Sequence, residues 1–126
     1  MRIACGTDIL ENKRIMDAVN RSEKFLEKNF TNKEIEYCKS KKILMAQSLA
    51  ARFAAKEAVA KALGTGFRGT VQPIQIEIAN DKKGKPYVIL GEDLKKDFSD
   101  VMDISISLSH CNEYSVAHAV ITFKEV

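Results

Sequence analysis

Two carboxylates and a lysine fall where a sequence of this kind could do chemistry. Asp8 follows Gly6 and Thr7 at the end of an otherwise apolar and small-residue run, where a small loop could aim it into a cleft. Its alternative role is to N-cap the helix that follows. Glu57 lies in a long Ala-rich segment, spaced 11, 7 and 4 residues from Ala46, Ala50 and Phe53, separations that return almost to one face of a helix and place it on a buried stripe. An ionised carboxylate there needs a partner or a metal. The alternative is a surface pair with Lys61, four residues on. If Asp8 and Glu57 converge, two hard oxygen ligands with room for water and phosphate oxygens suit Mg²⁺. Arg52, Lys56 and Lys61, together with Lys82, Lys83 and Lys85, could neutralise a diphosphate or form a solvated basic surface.

Other candidates are weaker. Ser107, Ser109 and His110 put a hydroxyl beside an imidazole, but the glycines of a nucleophile elbow are absent, so a catalytic triad is discounted. His110 could donate to a phosphate or cap a hairpin. His118 falls on an apolar alternating run and reads as core or subunit interface. Cys5, Cys38 and Cys111 lack the paired spacing of a zinc site or a disulfide framework and read as reduced, partly buried thiols.

The elements that must position these residues are legible in the pattern. Residues 2–10 read as a strand covered on both faces. Ile15, Ala18, Val19, Phe25, Leu26 and Phe30 recur at helical spacing, giving one or two amphipathic helices. Thr31 and Glu34 form a capping box that starts a helix over residues 32–38. A long helix is expected over residues 43–63, stopped by Gly64 in a left-handed cap. Strands at 74–78 and 87–90 flank a basic turn at 80–86, a short helix covers 92–98, and strands at 104–108 and 115–123 end the chain. The class is α+β, an antiparallel sheet packed against a long central helix.

Size and composition fit one domain over residues 1–126, with 45% hydrophobic and 29% charged residues, which excludes disorder. No apolar run reaches the length of a membrane span, and the first residues lead into a strand instead of a signal peptide, so no membrane association and a cytoplasmic location are expected. The net charge of +3 is too small to indicate nucleic acid by itself, and 7% aromatic residues with no Trp offer few stacking platforms. A noncatalytic basic module gripping a phosphate-rich ligand would account for the charge but not for Glu57.

Taken together, Gly6-Thr7-Asp8-Ile9, the segment from Arg52 through Lys56-Glu57-Ala58 to Lys61 and Gly64-Thr65-Gly66, and Ser107-Leu108-Ser109-His110 resemble the holo-acyl-carrier-protein synthase family over the whole chain. The turn at 80–86 is similar to a family loop. Cys111 departs from the family, where Thr is common. The resemblance implies a phosphopantetheinyl transferase of fatty acid biosynthesis, moving the arm of coenzyme A to a serine of apo-acyl carrier protein. It implies Mg²⁺ at Asp8 and Glu57, with Glu57 also assisting serine deprotonation and Lys61 neutralising phosphate charge. Arg52 and His110 would meet the nucleotide phosphates, and Gly84 and Pro86 the adenine. Gly64, Ser109 and Lys42 are further contacts of coenzyme A. Arg14, Arg21 and Lys24 would face the acidic carrier. The short, single-unit branch implies a homotrimer with active sites between subunits.

Overall fold

The computed structural model describes residues 1–125. The chain runs β1 (Arg2–Glu11), α1 (Asn12–Arg21), α2 (Lys24–Asn29), α3 (Asn32–Ser40), α4 (Met45–Ala62), β2 (Ile76–Asn80), β3 (Pro86–Leu90), α5 (Glu92–Asp97), β4 (Val101–His110) and β5 (Tyr114–Phe123). The strands form a three-stranded antiparallel sheet in the order β1-β5-β4 and a separate β2-β3 hairpin. This is the expected α+β class.

Local chemistry sets the helix boundaries. The Thr31 hydroxyl accepts from the Glu34 amide at 3.3 Å, and the Glu34 carboxylate accepts from the Thr31 amide at 2.9 Å, completing the capping box that starts α3. The long helix begins two residues later than its pattern suggests, because residues 42–44 form a 3₁₀ turn first. Gly64 follows its end with φ +91°, the left-handed stop expected from the sequence. The strand expected from residue 74 starts at Ile76 instead, since Pro73 opens a 3₁₀ turn.

α4 is the axis of the fold. It packs on β1 and β5 along one side and against α1, α3 and β2 on others, so it is buried around most of its circumference. Small residues permit the close approach: a Cβ on Gly6 would sit 2.1 Å from the Ala58 carbonyl oxygen. Ala54, Ala58 and Ala62 join Ile106, Ala119 and Ile121 in the main core, and Ile15, Phe30, Leu49 and Ala50 form a second cluster beneath α1 and α3.

Three expectations need correction. β1 is an edge strand with only one face covered, and Ile3 and Ile9 on its outer face are 63% and 65% exposed. The reason lies in the pairing: Cys5 and Ile9 share the uncovered side with Val120 and Val116, while Gly6 and Asp8 face α4. Of the two roles open to His118, core or subunit interface, the structure removes the first: paired opposite Thr7, it is exposed on the outer face of the sheet. Of the thiols only Cys38 is buried, and Cys5 and Cys111 are exposed.

Candidate active site

The arc of α4 that carries Phe53, Glu57 and Lys61 is the least covered side of that helix, not its buried stripe. Beside it, between β1, α1 and α4, lies a cleft of about 800 Å³, with Phe25 of α2 against Phe53 at its wall. Asp8, Glu57, Lys61, Arg14, Arg21 and Phe53 line this cleft. Asp8 reaches it from within β1, directly opposite Ala117, and caps no helix, since the residue at the cap of α1 is Glu11.

The charges in the cleft are not paired as helix spacing suggests. Lys61 Nζ donates to the Thr7 carbonyl at 2.9 Å and to Asp8 Oδ1 at 3.1 Å, crossing from helix to strand. Glu57 has no hydrogen bond or ion pair among the described residues, so the Glu57–Lys61 surface pair does not form. Burial pushes the Glu57 carboxyl above its ordinary range, the Asp8 charge raises it further, and Lys61 opposes both. Two carboxylates that repel each other across an open cleft favour a cation. Among the described residues no group of three or more His, Cys, Asp or Glu side chains converges. A hard divalent ion here would take two protein oxygens and complete its shell from water and phosphate, the habit of Mg²⁺. The donor set fits that ion.

A second cavity, about 310 Å³, lies elsewhere on the chain, lined by Arg52, His110, Gly84, Pro86, Asn80 and Tyr37 among others. Arg52 is 4% exposed, its guanidinium stacked 4.0 Å over the Tyr37 ring, and its Nη2 donates to Asn80 Oδ1. Its Nε is buried without a partner. Asn80 Nδ2 donates in turn to the Gly84 carbonyl at 3.0 Å, and Gly84 holds φ +88° to turn the hairpin loop. The Arg52 guanidinium and the His110 imidazole thus line one cavity, and both are groups able to donate to an anion.

Four residues expected at the site lie outside both cavities. Gly64 caps α4 in solvent, Lys42 sits exposed with φ +55°, Ser109 projects from the outer sheet face, and Lys24 stands on α2 apart from the first cleft. Lys56, grouped with the phosphate-binding cations in the sequence reading, is fully buried and ion-paired to Glu34 at 2.8 Å. Tyr37, Asn80 and Glu34 carried no sequence signal for these roles beyond the turn chemistry around Asn80 and the capping box of Glu34.

Comparison with known proteins gives a consistent result. Residues 4–119 match the family model described as the 4′-phosphopantetheinyl transferase superfamily. The chain is 51% identical over 125 residues to the holo-[acyl-carrier-protein] synthase of Ruminiclostridium cellulolyticum, covering 97% of this chain and 93% of that protein. Its fold superimposes on the crystal structure of holo-[acyl-carrier-protein] synthase from Neisseria meningitidis with a TM-score of 0.87 at 34% identity, over 94% of this chain and 97% of the other. The Helicobacter pylori holo-[acyl-carrier-protein] synthase, crystallised in complex with coenzyme A, gives a TM-score of 0.84 at 33% identity, over 94% and 99%.

Proposed function

The chain belongs to the 4′-phosphopantetheinyl transferase superfamily, and from that premise we propose how its own residues carry out the transfer. It moves the 4′-phosphopantetheine arm of coenzyme A to a serine hydroxyl of apo-acyl carrier protein, releasing adenosine 3′,5′-bisphosphate. The serine oxygen bonds to the pantetheine-side phosphorus, and the bond from that phosphorus to the bridging oxygen breaks. The observation that carries the assignment is the convergence of Asp8, Glu57 and Lys61 on one cleft, with Glu57 left without a protein partner.

Asp8 and Glu57 would hold Mg²⁺, which when bound supplies Lewis-acid charge at the diphosphate. Glu57 would also assist removal of the serine proton. Lys61 stands beside Asp8 to offset charge developing on the leaving phosphate. Arg52 and His110 supply the anion site for the nucleotide phosphates, with Gly84 and Pro86 forming the wall beside the adenine. Arg14 and Arg21, on the rim of the first cleft, face the carrier. Gly64, Ser109, Lys42 and Lys24 lie outside both cavities and are left out of this assignment.

Two observations support a homotrimer with shared sites. The outer face of the three-stranded sheet leaves Ile3, Ile9 and Val116 uncovered, an apolar patch suited to a second copy. The two cavities have no lining residue in common, so one subunit can offer its carboxylates to a nucleotide held by its neighbour. No helix among the described residues is long and apolar enough to cross a membrane. We propose a cytoplasmic location and a role in fatty acid biosynthesis from the membership of the family. The test is product release: incubated with coenzyme A, Mg²⁺ and apo-carrier, the protein should liberate adenosine 3′,5′-bisphosphate in proportion to carrier consumed. Hydrolysis of coenzyme A without carrier modification would refute it.

A further inference from the structure

Lys56 neighbours Glu57 in sequence yet points the opposite way, into the interior. Its ammonium is fully buried and spends all three donors: Glu34 Oε1 at 2.8 Å, the Pro73 carbonyl at 2.7 Å and the Ile76 carbonyl at 2.8 Å. Glu34, also fully buried, uses its second oxygen to accept from the Ile78 amide at 3.0 Å. Burial lowers the Lys56 proton affinity, and the Glu34 charge opposes that shift. A buried ion pair is weak evidence of stabilisation, because an apolar pair of similar volume often serves as well. What an apolar side chain cannot supply is a donor for the two carbonyls at Pro73 and Ile76.

Those carbonyls bracket the 3₁₀ turn that launches β2, Pro73 opening the turn and Ile76 the strand, and β2 ends at Asn80, the residue that accepts from Arg52. We infer that Lys56 is a positioning residue: with Glu34 it clamps residues 73–78 onto α4, and so fixes where the β2-β3 hairpin presents Asn80, Gly84 and Pro86 to Arg52. Lys56 and Arg52 lie four residues apart on the same helix, so one turn of α4 holds both ends of the hairpin's first strand. That the cavity so shaped receives the nucleotide end of coenzyme A rests on the function proposed above.

The test compares Lys56→Met with Lys56→Met/Glu34→Gln. The single variant leaves the Glu34 charge unpaired and should melt at a lower temperature. The double variant removes that charge and keeps the capping box, which Gln also forms, and should recover most of the melting temperature while the Ile76 carbonyl and the Ile78 amide lose their side-chain partners and the Pro73 carbonyl keeps only the Ile76 amide. In it, hydrogen exchange of amides 76–85 is expected to quicken by about tenfold or more, and KM for coenzyme A to rise by about tenfold with KM for the carrier unchanged. A purely structural role would lower the active fraction and leave both KM values alone. Lys56→Gln, which retains a neutral donor, should exchange more slowly than Lys56→Met. Unchanged exchange in the double variant would overturn the clamp, and faster exchange with an unchanged KM for coenzyme A would overturn its link to the nucleotide cavity. Absence of transfer by the unaltered chain would refute the transferase reading, with the exchange comparison still deciding the clamp.

Discussion

Replacing Glu57 by Gln separates catalysis from folding. The substitution keeps the size and helix propensity of the side chain and breaks no hydrogen bond or ion pair among the described residues. Folding stability should therefore change by no more than about 0.5 kcal/mol, or roughly 2 °C in melting temperature for a chain of this size. The sign depends on pH. The folded state raises the Glu57 carboxyl, so the stability associated with its neutral form is fully present below the unfolded value of about 4.3 and is lost as pH rises through the raised value. Glutamine stays neutral, so Glu57→Gln should match the parent near pH 4 and exceed it slightly at pH 8. Activity should move the other way. The substitution removes one of the two proposed anionic ligands, and loss of one such electrostatic element costs about 10²–10³ in kcat, or about 3–4 kcal/mol. A third readout isolates the cation: Mg²⁺ at ten times its Kd should raise the parent's melting temperature by about 5 °C, from a stabilisation of about 1.4 kcal/mol. Glu57→Gln should show no such rise at the same concentration. Near-normal turnover, or an equal Mg²⁺ response in both proteins, would refute the role given to Glu57.

Other perturbations probe the frame around it. Gly6→Ala should destabilise the fold by about 2 kcal/mol or more, because its Cβ would overlap the Ala58 carbonyl oxygen at 2.1 Å; an unchanged melting temperature would show that β1 and α4 can separate freely. Reversing Arg14 and Arg21 to Glu should raise KM for the acidic carrier by about tenfold or more at low salt and flatten its salt dependence, with KM for coenzyme A as the control. Ile9→Asp, on the uncovered sheet face, should reduce the sedimentation mass from three chains towards one, and a parent mass of one chain at working concentration would remove the trimer altogether.

Much of the frame was legible because its signals are local. The Thr31–Glu34 box, the Gly64 stop and the turn at 80–86 each satisfy backbone requirements within a few residues, and the structure shows all three. Which side of α4 is buried was not legible, since the alanines that let β1, β5 and α3 approach also erase any strong apolar stripe. Spacing placed Glu57 inside, whereas Lys56 is the residue that goes there, and only the distant partners Glu34, Pro73 and Ile76 explain how an ammonium is accommodated. β1 misled for a related reason: Ile3, Cys5 and Ile9 on its outer side are as apolar as its inner side, so the sequence reads as covered on both faces. Asp8 and Glu57 are 49 positions apart, and periodicity alone could not bring them together; the resemblance of the flanking motifs did.

The most direct test of the account is the intact mass of apo-acyl carrier protein after incubation with this protein and coenzyme A, with Mg²⁺, with chelator, and with Mg²⁺ restored. A gain of one phosphopantetheine on the carrier is expected with the metal, no gain with chelator, and recovery on restoration. An unmodified carrier in the presence of metal would contradict the transferase assignment, and a full gain under chelator would contradict the role of Asp8 and Glu57 as cation ligands.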